Sequence, residues 1–321
     1  MNKLVLRLGD TGPLVAQLQE LLATHKFQGH HNQLKVDGEF GPKTEDYVKV
    51  FQKNKGLKPD GVVGPMTWRM LNFNPSELFA DTDVATSSTW IETHLLPDGE
   101  YIKTETPKQW IFLHHTAGRH NPKSTIDNWA RDSRGRIGTH YVIGGIPSNA
   151  DADNLTKDQK EWDGRILRAI EDKYWGYHLG AVKSSKMHRN SISIEICSAG
   201  SLTEKNGKFY TWYGQEVHSS QVARLGNSYK GVKYYHKYSE AQIKALKALL
   251  YLIADTHSID LNTGVVAELK KNPNDPNFLA FNYSEKACTG GIVGVLTHGQ
   301  VRKDKSDVFP QKELIEMLIS L

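Results

Sequence analysis

At 321 residues, with 38% hydrophobic and 24% charged residues, the chain is long enough for two globular domains and too balanced for a disordered or fibrous protein. Its 40 Lys and Arg against 36 Asp and Glu leave a net charge of +4, too small and too scattered to demand a nucleic-acid partner, and no reading motif for one is visible. Two cysteines, Cys197 and Cys288, exclude a disulfide framework by number, and no run approaches the ~18 apolar residues of a membrane span.

The opening Met1 to Asp10 carries one Lys and an apolar patch broken by Arg7. That patch is too short for a signal-peptide core and lacks a small-residue cleavage site, so synthesis in the cytoplasm without a cleaved leader is expected. Residues 1–72 then form a unit with an internal echo: Asp37-Gly38-Glu39-Phe40-Gly41-Pro42-Lys43-Thr44 returns as Asp60-Gly61-Val62-Val63-Gly64-Pro65-Met66-Thr67. Each copy reads as a glycine turn that launches a helix on proline. Helical spacing of Val15, Leu18, Leu21 and Leu22 after Gly12-Pro13, of Tyr47, Val48, Phe51 and Gln52 after the first copy, and of Trp68 and Leu71 after the second predicts a small three-helix bundle.

Residues 73–104 are poor in apolar side chains and read as a linker, with Trp90 and Leu95-Leu96 as candidate docking points. The third segment, 105–321, interleaves apolar runs with helical patterns, which predicts a mixed β-sheet flanked by helices, an α/β architecture. The predicted strands are Trp110 to Leu113, Thr139 to Gly145, Arg165 to Ile170, Ser191 to Cys197 and Ile292 to Leu296; the predicted helices are Ala241 to Thr256 and Gln311 to Ser320. Two long stretches, 147–162 and 201–237, read as loop insertions, which at that length are usually walls or lids of a site.

Residue types suited to a hydrolytic metal ion stand at the ends of these strands. His114 follows one apolar run, Thr297-His298 follows another, and Asp307 lies shortly beyond. Two imidazoles and a carboxylate suit zinc, because three protein ligands leave a fourth position for water. His115 is a rival to His114, since neighbours on a strand point to opposite faces, and Asp304 is a carboxylate near Asp307. Glu195, inside an apolar run, is the candidate acid/base, with a pKa raised by desolvation. Aromatic side chains at Trp175, Tyr177, Tyr210, Trp212 and Tyr213 read equally as platforms for sugar rings and as core.

The first unit resembles the peptidoglycan-binding domain of cell-wall hydrolases. The resemblance is carried by Gly9-Asp10-Thr11-Gly12, Leu18-Gln19, Val36-Asp37-Gly38, Phe40-Gly41, Phe51-Gln52, Asp60-Gly61, Val63-Gly64 and Thr67-Trp68, and it implies anchoring to the wall. The third segment resembles the zinc-dependent N-acetylmuramoyl-L-alanine amidases, in the branch with phage endolysins and peptidoglycan-recognition proteins. Its marks stand in order: Leu113-His114-His115-Thr116, Gly138-Thr139-His140-Tyr141, Asp163-Gly164-Arg165, Tyr177-His178-Leu179-Gly180, Asn190 to Glu195, and Thr297-His298 with Lys305-Ser306-Asp307.

That resemblance implies one Zn2+ held by His114, His298 and Asp307, Glu195 as the base, and Lys305 as the cation that stabilises the oxyanion. It places His178, Thr139 and His115 around the substrate; Thr139 stands where some members carry a catalytic Tyr or Glu. The family's usual Asp-Pro-Gly after the third ligand is replaced here by Asp307-Val308-Phe309-Pro310. The implied function is cleavage of the amide between N-acetylmuramic acid and L-alanine, by a monomeric phage endolysin that reaches the wall after release. Alternatives are a catalytically silent recognition protein and a bacterial autolysin or toxin effector with the same chemistry.

Overall fold

The structure, a computed structural model, describes residues 5–24, 34–55, 57–72, 91–133 and 135–321. The chain divides into two compact units, Met1–Asp81 and Thr82–Leu321. In the linker segment, residues 73–90, with Trp90 among them, lie outside the described residues.

The first unit contains helices Pro13–Thr24, Pro42–Asn54 and Pro65–Asn72. Each opens on proline, whose missing N–H falls where a helix has no partner for one. Val15, Leu18, Leu22, Phe40, Val48, Phe51 and Val63 form its core. The sequence echo becomes a repeated buried hydrogen-bond cradle. The Gln19 carbonyl accepts from the Asp37 and Gly38 N–H groups at 3.0 and 2.9 Å, while its amide nitrogen faces Asp37 Oδ1, the Glu39 carbonyl and Thr44 Oγ1 at 2.8, 3.0 and 3.1 Å. Gln52 repeats the pattern with Gly61 N–H at 3.0 Å and with Asp60 Oδ1, the Val62 carbonyl and Thr67 Oγ1 at 3.1, 2.9 and 3.1 Å. Gly38 and Gly61, at φ of 73° and 76°, supply the left-handed turn that each cradle grips.

The second unit is built on a six-stranded sheet. Its strands are β1 (Ile91–Thr93), β2 (Trp110–His115), β3 (Tyr141–Ile143), β4 (Ile166–Arg168), β5 (Ser191–Ile196) and, far along the chain, Gly294–Thr297. Between β5 and that last strand come β6 (Thr203–Lys205), β7 (Lys208–Tyr210), β8 (Glu216–Val217), β9 (Val222–Tyr229) and β10 (Val232–His236), so Gly294–Thr297 is β11. The sheet order is β1-β4-β3-β5-β2-β11, parallel throughout except for the β3–β4 pair.

Two features differ from the sequence expectation. Residues 91–104 are not linker: β1 pairs with β4 at the sheet edge, both Glu92 carboxylate oxygens accept from Arg165 at 2.7 Å, and Leu96 is buried. The stretch 201–237 is not open loop, because β6, β7 and β8 form one small antiparallel sheet and β9 and β10 another. The first of these has its own apolar seat in Leu202, Phe209 and Val217.

Period-two alternation divides the sheet into an apolar face and a chemical face. On β2 and β5, Ile111, Leu113, Ile192, Ile194 and Ile196 join the principal core with Ile243, Leu246, Leu249, Leu250 and Ile253 of helix Glu240–His257. That helix starts on a capping box in which Ser239 Oγ accepts from Gln242 N–H at 3.0 Å and Gln242 Oε1 accepts from Ser239 N–H at 3.0 Å. Trp110 and Phe112 point the other way, into a smaller cluster with Leu179, Met187, Leu296 and Val301. The same alternation puts His114, Ser191, Ser193 and Glu195 on that second face and His115 on the first.

Candidate metal centre

His114 sits near the end of β2 and Glu195 near the end of β5, and the parallel register makes them direct neighbours. Their side chains therefore leave the sheet on one face, about 4.8 Å apart at the backbone. His298 follows β11 at the start of the one-turn helix His298–Val301. The segment beyond folds back so that Gly299 N–H donates to the Asp307 main-chain carbonyl at 3.2 Å, which returns the Asp307 carboxylate to His298.

Three atoms converge there. His114 Nδ1 lies 3.1 Å from His298 Nδ1 and 3.1 Å from Asp307 Oδ2, and His298 Nδ1 lies 3.0 Å from the same oxygen. All three residues are buried or nearly so.

The hydrogen bonds behind the rings settle what these atoms offer. His298 Nε2 faces the Leu179 carbonyl at 3.1 Å, which only an N–H can satisfy, so Nε2 carries a proton and Nδ1 is the ring's inward-facing atom, free to act as a ligand. For His114 a relay of hydrogen bonds sets the proton's place. Ser191 Oγ donates to the His188 carbonyl at 3.3 Å, so it accepts from His178 Nε2–H at 2.8 Å. His178 Nδ1 then accepts from His114 Nε2–H at 3.0 Å, and His114 Nδ1 is left as a lone pair. Burial lowers the His114 pKa to about 4, with Asp307 pulling it partly back, so the ring is neutral at pH 7. Burial works to raise Asp307, but the two imidazoles outweigh that and hold its carboxyl well below the ordinary range.

With Nε2 of each ring committed as a donor, two ring nitrogens and a carboxylate oxygen meet edge to edge as three inward-facing ligand atoms. Such a triangle repels itself unless a cation occupies its axis. A tetrahedral ion with bonds of 2.0–2.1 Å sets ligand atoms about 3.3 Å apart. The observed edges of 3.0–3.1 Å lie close to that value, so the residues fit a small divalent ion. His114, His298 and Asp307 are the one group of this kind among the described residues.

Glu195 Oε2 is buried and has no hydrogen-bond partner among the described residues. Desolvation first, and the charge of Asp307 second, push its pKa well above the ordinary value, while Lys305 opposes them. Lys305 is half-buried, two residues before Asp307, and its charge is felt by both Glu195 and His114. Asp304 is drawn off by Arg302, whose Nε and Nη2 lie 2.9 and 2.5 Å from its oxygens.

The remaining candidates sit elsewhere. His115 is on the opposite face with Nδ1 on the Tyr238 hydroxyl at 2.8 Å. Thr139 is buried and donates to the Tyr141 carbonyl at 3.1 Å. His178 has both ring nitrogens spent inside the protein, on His114 and Ser191, so it stands behind His114 with no ring nitrogen left over. Sequence reasoning missed the roles of Ser191, His188 and the Leu179 carbonyl. The usable signal was the serine–isoleucine alternation of β5, since a polar group on a buried strand needs a partner.

Comparison with known proteins gives the family. Residues 104–307 match the N-acetylmuramoyl-L-alanine amidase family, and the chain belongs to that family. Residues 11–71 match a peptidoglycan binding domain. An uncharacterized protein from the bpoA1 3′ region of Kitasatospora aureofaciens is 46% identical over 69 residues, covering 21% of this chain and 55% of that protein. The zinc D-Ala-D-Ala carboxypeptidase of Streptomyces albus G is 41% identical over 63 residues, or 20% of this chain and 24% of that enzyme. The chain thus spans about half the length of the first relative and a quarter of the second. Among solved structures, the N-acetylmuramoyl-L-alanine amidase LysC from Clostridium intestinale is 13% identical over 71% of this chain and 93% of its own, with a TM-score of 0.36. The SleB N-terminal domain is 37% identical over 22% of this chain and 90% of its own, with a TM-score of 0.19.

Proposed function

We propose that the protein is a peptidoglycan hydrolase that cuts the amide between the lactyl group of N-acetylmuramic acid and L-alanine of the stem peptide. The single observation that carries this reading is the convergence of two imidazole nitrogens and a carboxylate beside an unpartnered, desolvated Glu195. His114, His298 and Asp307 would hold one zinc ion. When bound, such an ion supplies an acidified water and a Lewis acid for the scissile carbonyl.

The chain's own groups do the rest. Glu195 is an acceptor without a competing partner, so its carboxylate takes a proton from the attacking water; a divalent charge nearby reverses the upward pressure on its pKa. Lys305 faces the negative charge that develops on the carbonyl oxygen. Glu195 then returns its proton to the departing amine of L-alanine, without which the C–N bond does not break. His178, Ser191 and the His188 carbonyl keep His114 in its Nε2–H tautomer, as an outer shell does for a zinc ligand.

The first unit supplies the wall anchor, and the pairing of a wall-binding module with an amidase suits a bacteriolytic enzyme of the endolysin type. The test is digestion of purified sacculi with the products counted by chemistry. New free amino termini of alanine are the expected result; release of reducing sugar ends instead would refute it.

A further inference from the structure

A groove of about 470 Å³ has a lining that includes Thr116, Arg119, Asn128, Asp132, Trp212 and Tyr213. Thr116 follows directly on the end of β2, two residues after His114, so one wall of the groove is continuous with the strand that carries the candidate ligand. Trp212 sits in the turn between β7 and β8, whose strands are seated on Leu202, Phe209 and Val217. It is 72% exposed, yet it is not loose. Its indole N–H donates to the Ala117 carbonyl at 2.7 Å, and Tyr213 meets it edge to face at 5.3 Å. The Arg119 guanidinium lies 5.8 Å over the Tyr213 ring.

A large exposed indole normally keeps its N–H for solvent or ligand. Here that donor is spent on the backbone just beyond β2, so the ring offers the groove only its π face. Arg119 and Asp132 leave the lining formally neutral, and Ser124 and Asn128 add uncharged hydrogen-bonding groups. A stem peptide with several carboxylates calls for a positive groove. A neutral pyranose calls for an aromatic face with flanking polar groups.

We infer that this groove is a glycan subsite, with Trp212 as the stacking platform for an N-acetylhexosamine of the strand that carries the scissile muramoyl residue. The inference rests on the amidase reading for the identity of the polymer, but its test does not need turnover. Full-length protein stripped with chelator is titrated with the N-acetylglucosamine tetramer and, separately, with free stem peptide, following indole fluorescence and heat. Wild type binds the tetramer saturably, Trp212→Ala weakens that binding by about fivefold to tenfold, and Trp212→Phe recovers most of it. Peptide binding is the same in wild type and both variants, and the three melting temperatures agree. With metal restored, Trp212→Ala raises KM on wall fragments and leaves kcat within about twofold.

Absence of saturable tetramer binding by wild type, equal tetramer affinity in wild type and Trp212→Ala, or a loss confined to the stem peptide overturns the subsite. Failure of the amidase reading would register separately, as tetramer binding that depends on Trp212 in a protein that releases no alanine amino termini.

Discussion

At the scale of single residues, the site is defined by which nitrogen of each histidine carries its proton. His114 and His298 both turn Nδ1 inward because Nε2 is committed behind them, to His178 and to the Leu179 carbonyl. Removing an outer partner of this kind costs about 10–100-fold in metal affinity. His178→Ala is therefore expected to weaken zinc by that factor in a competitive chelator titration, while His115→Ala leaves zinc affinity unchanged. Glu195→Gln keeps the shape of the acid but removes its basicity, so turnover falls by about 10²–10⁴ with zinc stoichiometry intact. Full activity in that variant would show that another group is the base.

Buried histidines away from the centre set a pH dependence of stability. His140 donates from Nε2 to the Tyr174 carbonyl at 3.1 Å and accepts at Nδ1 from Ser193 N–H at 3.1 Å. Burial pushes it down to about 3, and His236 to about 4, against an ordinary value of 6.5. The unfolded chain thus binds more protons than the folded one between those values. The stability contributed is complete above pH 6.5 and is lost as pH falls toward the folded-state values. Each histidine costs about 1.4 kcal/mol per pH unit inside that window. Urea midpoints are expected to decline steadily from pH 6.5 to 4, and a flat profile would contradict the assignment of these rings as neutral.

At the scale of elements, what could be read from the sequence followed the strength of the local pattern. Helix Glu240–His257 and helix Lys312–Ile319 have long, regular apolar stripes and were legible almost to the residue. The β2 and β5 strands were legible as apolar runs, and alternation along β2 separates His114 from His115 once the core side is known. Edge strand β1 was not legible, since three residues of which none is buried, held by Arg165–Glu92 and one strand partner, leave no periodic signature. The insertion at 201–237 hid its strands for the same reason: β6 is exposed along its length, so its pairing is set by neighbours rather than by composition.

The repeated turn in the first unit was visible as text but not as a Gln19 and Gln52 cradle, because a buried amide resembles any surface glutamine until its partners are placed. Gln19→Leu strands the part-buried Asp37 and Gly38 N–H groups and Gln52→Leu the buried Gly61 N–H, and each is expected to cost about 2–4 kcal/mol. Calorimetry on the full chain is expected to show the melting of the first unit lowered by both substitutions, with neutral behaviour of either refuting a structural role for that amide.

At the scale of the whole molecule, the two family matches fall in separate units of one chain. A peptidoglycan-binding fold occupies the first and an amidase fold the second. Among the described residues no helix is long and apolar enough to cross a membrane. Loss of the centre by His114→Ala is accordingly expected to abolish lysis while sedimentation with purified sacculi persists. The most direct measurement is metal content read beside turnover on the same preparation. One zinc per chain is predicted, with release of alanine amino termini vanishing on chelation and returning with added zinc. Undiminished release from protein proven free of metal would contradict the account.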